Sequence, residues 1–102
     1  MPTASEVERF KAKLSPAGEC ILWTAAKNQY GYGVFRRESR GSRGKLVLAH
    51  RFYYTEILGL EIPDGYDLDH LCVTPACVSC TEPVTHRVNC QRAVARRRAA
   101  QR

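Results

Sequence analysis

From Asp69 the chain reads Asp-His-Leu-Cys, then four residues to Cys77, two more to Cys80, and Asn89 follows nine positions later. Three sulfurs within so short a loop point to a metal. Zn²⁺ takes four tetrahedral ligands, usually thiolate or imidazole, and the Cys77–Cys80 spacing gives the short bite such sites use. Buried free cysteines, which behave as small hydrophobes, are the plainer alternative, and their density in this loop argues against it. The fourth ligand is open among Cys20, Cys90 and a histidine. Cys20 is preferred, because it begins a strand able to lie beside the loop. Cys90 points about 100° away from Asn89 on a helix and reads as a core or free thiol. A structural zinc is worth roughly 10–16 kcal/mol in apparent binding, against a total of roughly 5–15 kcal/mol for a typical domain. Such a loop would decide whether the chain folds.

A length of 102 residues leaves room for one core. The expected organisation is an N-terminal helix in 1–18, a sheet and helix scaffold in 19–65, a metal-bearing unit in 66–92 and a basic tail in 93–102. No run approaches the roughly 18 apolar residues of a membrane span, and the first residues lack a basic-then-apolar leader pattern. A reducing, cytoplasmic setting is therefore expected, in which clustered cysteines bind metal rather than pair. The odd total of 5 cysteines also fits poorly with a disulfide framework. The net charge of +6 is uneven. Acids and bases balance through Glu82, whereas Arg87, Arg92, Arg96, Arg97, Arg98 and Arg102 follow with no acid. Such a tail is an electrostatic footprint for nucleic acid, or else a solvated end that aids solubility.

Ser5 to Leu14 reads as a helix, with Ser5 and Glu8 as a capping box and Val7, Phe10 and Leu14 on one face; Pro16 and Gly18 end it. Strands are expected at Ile21–Thr24, Tyr30–Arg37 and Leu46–Ala49, forming one antiparallel meander, with residues 38–44 a flexible basic loop. His50 to Leu58 reads as a helix closed by Gly59. Tyr66–Leu71 is a strand, Thr81–Val84 an edge strand limited by Pro83, and Thr85 caps a helix to about Ala99. Asn89, Arg92 and Arg96 share one stripe of that helix. The fold class is α+β, a small antiparallel sheet with flanking helices and a zinc-stapled β-β-α unit.

A histidine on a strand and an asparagine on the next helix, joined by a metal-pinned loop, suit phosphodiester hydrolysis. His70 can accept a proton from water near neutral pH. Mg²⁺ or Mn²⁺ needs only one or two protein ligands; Asn89 offers an amide oxygen and Asp69 a carboxylate.

These residues resemble a known family. Asp-His-Leu-Cys with Cys77, followed by Glu-Pro-Val-Thr-His-Arg-Val-Asn at 82–89, is similar to the phage-type HNH endonucleases. Cys20, the Tyr-Gly-Tyr-Gly of 30–33 and Ala49-His50-Arg51 extend the likeness to the His-Cys box homing endonucleases. Both are His-Me finger, or ββα-metal, nucleases, and the likeness covers residues 20–92. It implies His70 as general base, Asn89 as catalytic metal ligand and Cys20, Cys72, Cys77 and Cys80 as zinc ligands. It also implies His50 as a second histidine near the scissile phosphate, and an arginine contact to that phosphate from Arg37, Arg40 or Arg43. Here Cys77-Val-Ser-Cys80 is two residues shorter than the family's segment, ends in Cys rather than His, and lacks the middle Asn.

The leading expectation is a metal-dependent endonuclease that nicks or cleaves DNA, with a structural zinc and a catalytic Mg²⁺ or Mn²⁺. DNA is the expected partner, contacted by the basic stretch around Arg37, Arg40 and Arg43 and by the segment carrying Arg92 and Arg96. A homodimer would be a simple route to double-strand cleavage; neither a membrane nor a small-molecule substrate is expected. The alternatives are a catalytically inactive zinc-containing DNA-binding regulator on the same fold, and a zinc adaptor whose basic tail meets an acidic protein.

Overall fold

The computed structural model describes residues 2–39, 42–72 and 74–100. Helix α1 spans Ala4–Lys11, β1 Leu14–Ala17, β2 Cys20–Trp23, β3 Val34–Ser39 and β4 Ser42–Leu48. Helix α2 (Ala49–Phe52) runs into a π-helical turn, Tyr53–Ile57, before β5 (Tyr66–His70), β6 (Thr81–Thr85) and α3 (His86–Ala100). The fold is a small α+β arrangement. Its strands form three separate antiparallel ribbons, β1–β2, β3–β4 and β5–β6, in place of the expected single meander. The outer edge of β2 is already used: Trp23 N–H donates to Ala76 O at 2.8 Å, and Val78 N–H donates to Ile21 O at 2.9 Å. The cysteine loop thus occupies the position that a third strand would need.

Several boundaries differ from the sequence expectation for local reasons. Thr3, not Ser5, caps α1, its hydroxyl accepting from Glu6 N–H at 3.1 Å. Ser5 instead donates to Glu38 at 2.6 Å. The helix stops at Lys11, and Leu14 opens β1 opposite Trp23, with Pro16 inside the strand opposite Ile21. The segment expected as a loop at 38–44 continues the β3–β4 hairpin, with Glu38 opposite Arg43; residues 40 and 41 lie outside the described set. A bulge falls at Arg37, between the Arg36 and Glu38 pairings. A side chain at Gly44 would start 1.4 Å from Arg37 O, so the bulge requires glycine there. Thr85 does cap α3, accepting from Val88 N–H at 3.2 Å. That helix runs from His86 to Ala100, close to the expected end near Ala99, so the basic stretch from 93 to 100 is helical. No helix among the described residues is long and apolar enough to cross a membrane.

Phe10, Trp23, Phe35, Ala49, Phe52 and Val78 form the core. Phe10 sits at its centre, with ring centroids 4.7 Å from Phe52, 4.8 Å from Trp23 and 5.1 Å from Phe35. Val78 brings the cysteine loop into this cluster, so the core and the candidate site share a wall. Glu6 is buried beside the core and is answered by Arg37 at 3.1 Å and by Glu38 N–H at 2.7 Å. Phe10→Ala is predicted to destabilise the fold by about 3–5 kcal/mol, the usual cost of emptying an aromatic core position. Urea unfolding of the metal-loaded protein measures it.

Candidate functional site

The Sγ atoms of Cys20, Cys72, Cys77 and Cys80 all lie within 4.8 Å of one another, and Cys20 and Cys80 are 3.8 Å apart. A tetrahedron with Zn–S bonds of about 2.3 Å has edges of about 3.8 Å, whereas a disulfide would need about 2.05 Å. None of the four is paired. The donor set fits a structural metal ion such as zinc, with β2 delivering Cys20 to the loop. Electrostatics favour the same conclusion. Burial pushes the Cys77 thiol up, but Cys80 N–H, the Ser79 hydroxyl and Ser79 N–H outweigh it and bring it down to about 6. Its neighbour Cys20 is pushed well above the ordinary thiol range by contact with Cys77 and Cys72. Four sulfurs this close cannot all ionise without a cation between them. Cys90 is exposed and outside the cluster, 3.5 Å from His86 Nε2.

The same loop orients a histidine. His70 Nε2 lies 2.8 Å from Cys77 O, buried. A carbonyl can only accept, so Nε2 carries the proton and Nδ1 of the neutral ring holds the lone pair. Burial lowers the His70 pKa and the Arg96 charge adds to this, against the raising effects of the Cys77 carbonyl and Asp69. His50 lies beside it, ring centroids 4.5 Å apart, and Tyr32 flanks both at 5.4 and 5.7 Å. His50 is 5% exposed and its Nδ1 has no hydrogen-bond partner. Burial, then His70 and Arg51, bring its pKa down to about 3. Both rings are neutral at pH 7. Two recesses flank Tyr32, one of about 80 Å³ with His70, Asp69, Pro75 and Arg96, the other of about 220 Å³ with His50, Arg51 and Asp67.

Strand alternation turns Asp67 and Asp69 toward α3 and His70 toward Tyr32 and His50. This changes several expected roles. Asp69, expected as a metal ligand, is 5% exposed and held by Arg92 at 2.9 Å and Arg96 at 3.3 Å. Arg96 also donates to His70 O at 2.9 Å. Asp69 is therefore committed to two internal cations, and Arg92 and Arg96 brace α3 against β5 rather than standing free for DNA. Asn89 donates through Nδ2 to Asp67 at 3.0 Å, which leaves its Oδ1 available. The carboxylate beside Asn89 is thus Asp67, which also meets His86 Nδ1 at 2.8 Å. Arg37 is likewise structural, bridging Glu6 and Glu56 over the Phe52 ring. Arg40 lies outside the described residues; Arg43 is placed by its backbone pairing alone.

Tyr32, Asp67 and His86 were not foreseen. Asp67 precedes Asp69 by two residues on a strand, and His86 precedes Asn89 by almost one helical turn. These spacings alone would have placed both on the shared β5–α3 face.

Among curated proteins, Protein 7.7 of Escherichia phage T7 is 39% identical over 59 residues, which are 58% of this chain and 41% of that protein. The uncharacterised gene 5.3 protein of Enterobacteria phage T3 is 33% identical over 63 residues, 61% of each chain. The chain thus spans less than two thirds of the length of either relative. No protein-family model and no solved structure matches it.

Two predictions follow from the geometry of sulfurs and rings. The purified protein is expected to carry one zinc per chain, which elemental analysis measures. Cys90→Ser keeps the ion, whereas Cys77→Ser loses it, and chelation abolishes the cooperative melt. The second concerns acid. His50 holds its proton far more weakly folded than unfolded, so protons favour the unfolded chain as pH falls from 6.5 toward about 3. The stability that a neutral His50 contributes is complete above pH 6.5 and drains away below it, by of order 4 kcal/mol across that window. Thermal melts should fall on acidification, and His50→Gln should flatten the slope between about pH 6.5 and 5.

Proposed function

We propose that the protein is a metal-dependent DNA endonuclease of the HNH, or His-Me finger, type. In this reading β5, the cysteine loop, β6 and α3 form the ββα-metal unit. The observation that carries it is the bond between His70 Nε2 and the carbonyl of Cys77. A metal-ligand residue thereby fixes the ring and leaves Nδ1 as a proton acceptor, in a recess flanked by arginines. His70 would take the proton from an attacking water. His50, held neutral beside it, adds no competing charge. Arg51 replaces Arg37 as the cation at the larger recess, and Arg43 stays a candidate contact from the hairpin. Asn89 Oδ1, with Asp67 behind it, would hold a Mg²⁺ ion; Asp69 does not fit that role while Arg92 and Arg96 bind it. Such an ion supplies charge that stabilises the phosphate and the leaving oxygen. The relatives encoded by phages T7 and T3 place similar sequences in phage genomes, a setting that suits a nuclease acting on DNA.

The clamp on Asp69 favours one other reading, a DNA-binding zinc protein on the same fold that does not cut. The two separate on supercoiled plasmid with Mg²⁺ or Mn²⁺. The enzyme is expected to nick it, with nicking reduced at least about 100-fold in His70→Ala, the usual scale for loss of a general base, and sharply in Asn89→Ala. Circular dichroism and zinc content confirm that both variants are folded. Parental cutting by His70→Ala removes the base assignment, and salt-dependent DNA retention without cutting establishes the second reading.

A further inference from the structure

Tyr30 stands apart from the other aromatic residues. Its side chain is 70% exposed, whereas the neighbouring Tyr32 lies against the histidine pair. The turn beneath it is tightly specified. Asn28 Oδ1 accepts from Tyr30 N–H at 3.0 Å and from Tyr32 N–H at 3.1 Å. Asn28 N–H donates to Tyr32 O at 2.9 Å, and Gly31 N–H donates to Asn28 O at 3.0 Å. Gly31, at φ +86°, packs so that a Cβ there would lie 3.5 Å from Pro75 Cβ. Pro75 lines the small recess with His70. A large ring is therefore held out in solvent on a hydrogen-bonded turn, one residue from the Gly31 that packs on Pro75.

We infer that Tyr30 is a stacking plate for an unpaired nucleobase, and hence that the cleft takes a nucleic-acid strand with at least one base out of its helix. The inference rests on the nuclease reading for the presence of nucleic acid and goes beyond it in naming the substrate's form. Its surroundings favour a base over a protein partner. The residues preceding Tyr30 in the turn, Asn28 and Gln29, are polar. Lys27 precedes the turn, and Arg51 borders the larger recess beyond Tyr32, which supplies positive charge for a backbone threaded past the ring. An aromatic face recognises a base face, and in an intact duplex those faces are covered by neighbouring bases. A single strand, flap or mismatch uncovers them.

Binding without added Mg²⁺ tests this on the 102-residue, zinc-loaded chain, using oligothymidylate and a duplex of equal length. In Tyr30→Trp the introduced indole should lose fluorescence as oligothymidylate saturates the protein, against a constant signal from buried Trp23. Tyr30→Ala should weaken single-strand binding roughly 5- to 100-fold while duplex binding changes by less than about twofold, and Tyr30→Phe should retain both. Unchanged indole emission in the bound complex overturns the inference. So does parental affinity in Tyr30→Ala, equal loss on single strand and duplex, or no single-strand binding by the parent. Plasmid nicking that depends on His70 alongside any of these results leaves the nuclease reading standing and removes the stacking role. Quenching and selective loss without any nicking do the reverse.

Discussion

The sulfur cluster is the constraint on which everything else in this small chain depends. Cys20 is far in sequence from Cys72, Cys77 and Cys80, yet their sulfurs fall within 4.8 Å. A shared ion there would close a long loop and hold β2 against the cysteine loop. Two further consequences pass through the same residues. Val78, between ligands Cys77 and Cys80, enters the aromatic core. The carbonyl of Cys77 sets the ring of His70. A metal ion, a core wall and a histidine tautomer are thus properties of one short loop.

A second layer comes from two buried carboxylates, each held by arginine. Glu6 takes Arg37, and Asp69 takes Arg92 and Arg96. A buried charge left without its partner costs several kcal/mol, so these arginines are held where they are. Much of the apparent basic surface is therefore internal wiring. What remains turned to solvent, such as Arg87, Arg97 and Arg98 on α3 and Lys45 and Arg51 nearer the hairpin and cleft, defines the face a polyanion would meet.

The legible and illegible parts of the sequence divide along sequence separation. The cysteine loop could be read because its ligands are neighbours, and Thr85 because a cap acts within one turn. Cys20 is legible only through the strand it begins, and the deciding contact, the backbone pairing of β2 with the loop, leaves no local mark. Arg37 was misassigned to DNA because its partners Glu6 and Glu56 are 31 and 19 residues away. Leu14 fits a helical stripe as well as a strand, and only its pairing with Trp23 decides. Three ribbons rather than a meander follow from an edge being occupied, a fact of tertiary packing. Adjacency to His70 is visible in sequence and suggests a metal role for Asp69, whereas strand alternation turns it toward α3, where Arg92 and Arg96 bind it.

The histidine pair carries a constraint of its own. Two imidazolium rings with centroids 4.5 Å apart would repel by about 4 kcal/mol even at an effective dielectric of about 20. Burial already resists a first proton on either ring, and a second would add this repulsion. His50, the more deeply depressed of the two, stays neutral, its Nδ1 buried without a partner. His70 has the Cys77 carbonyl and the Asp69 carboxylate to stabilise its protonated form. Of the two rings, His70 is therefore the one whose charged form has partners. The burial of His50, which looks like simple packing, keeps a second positive charge away from His70.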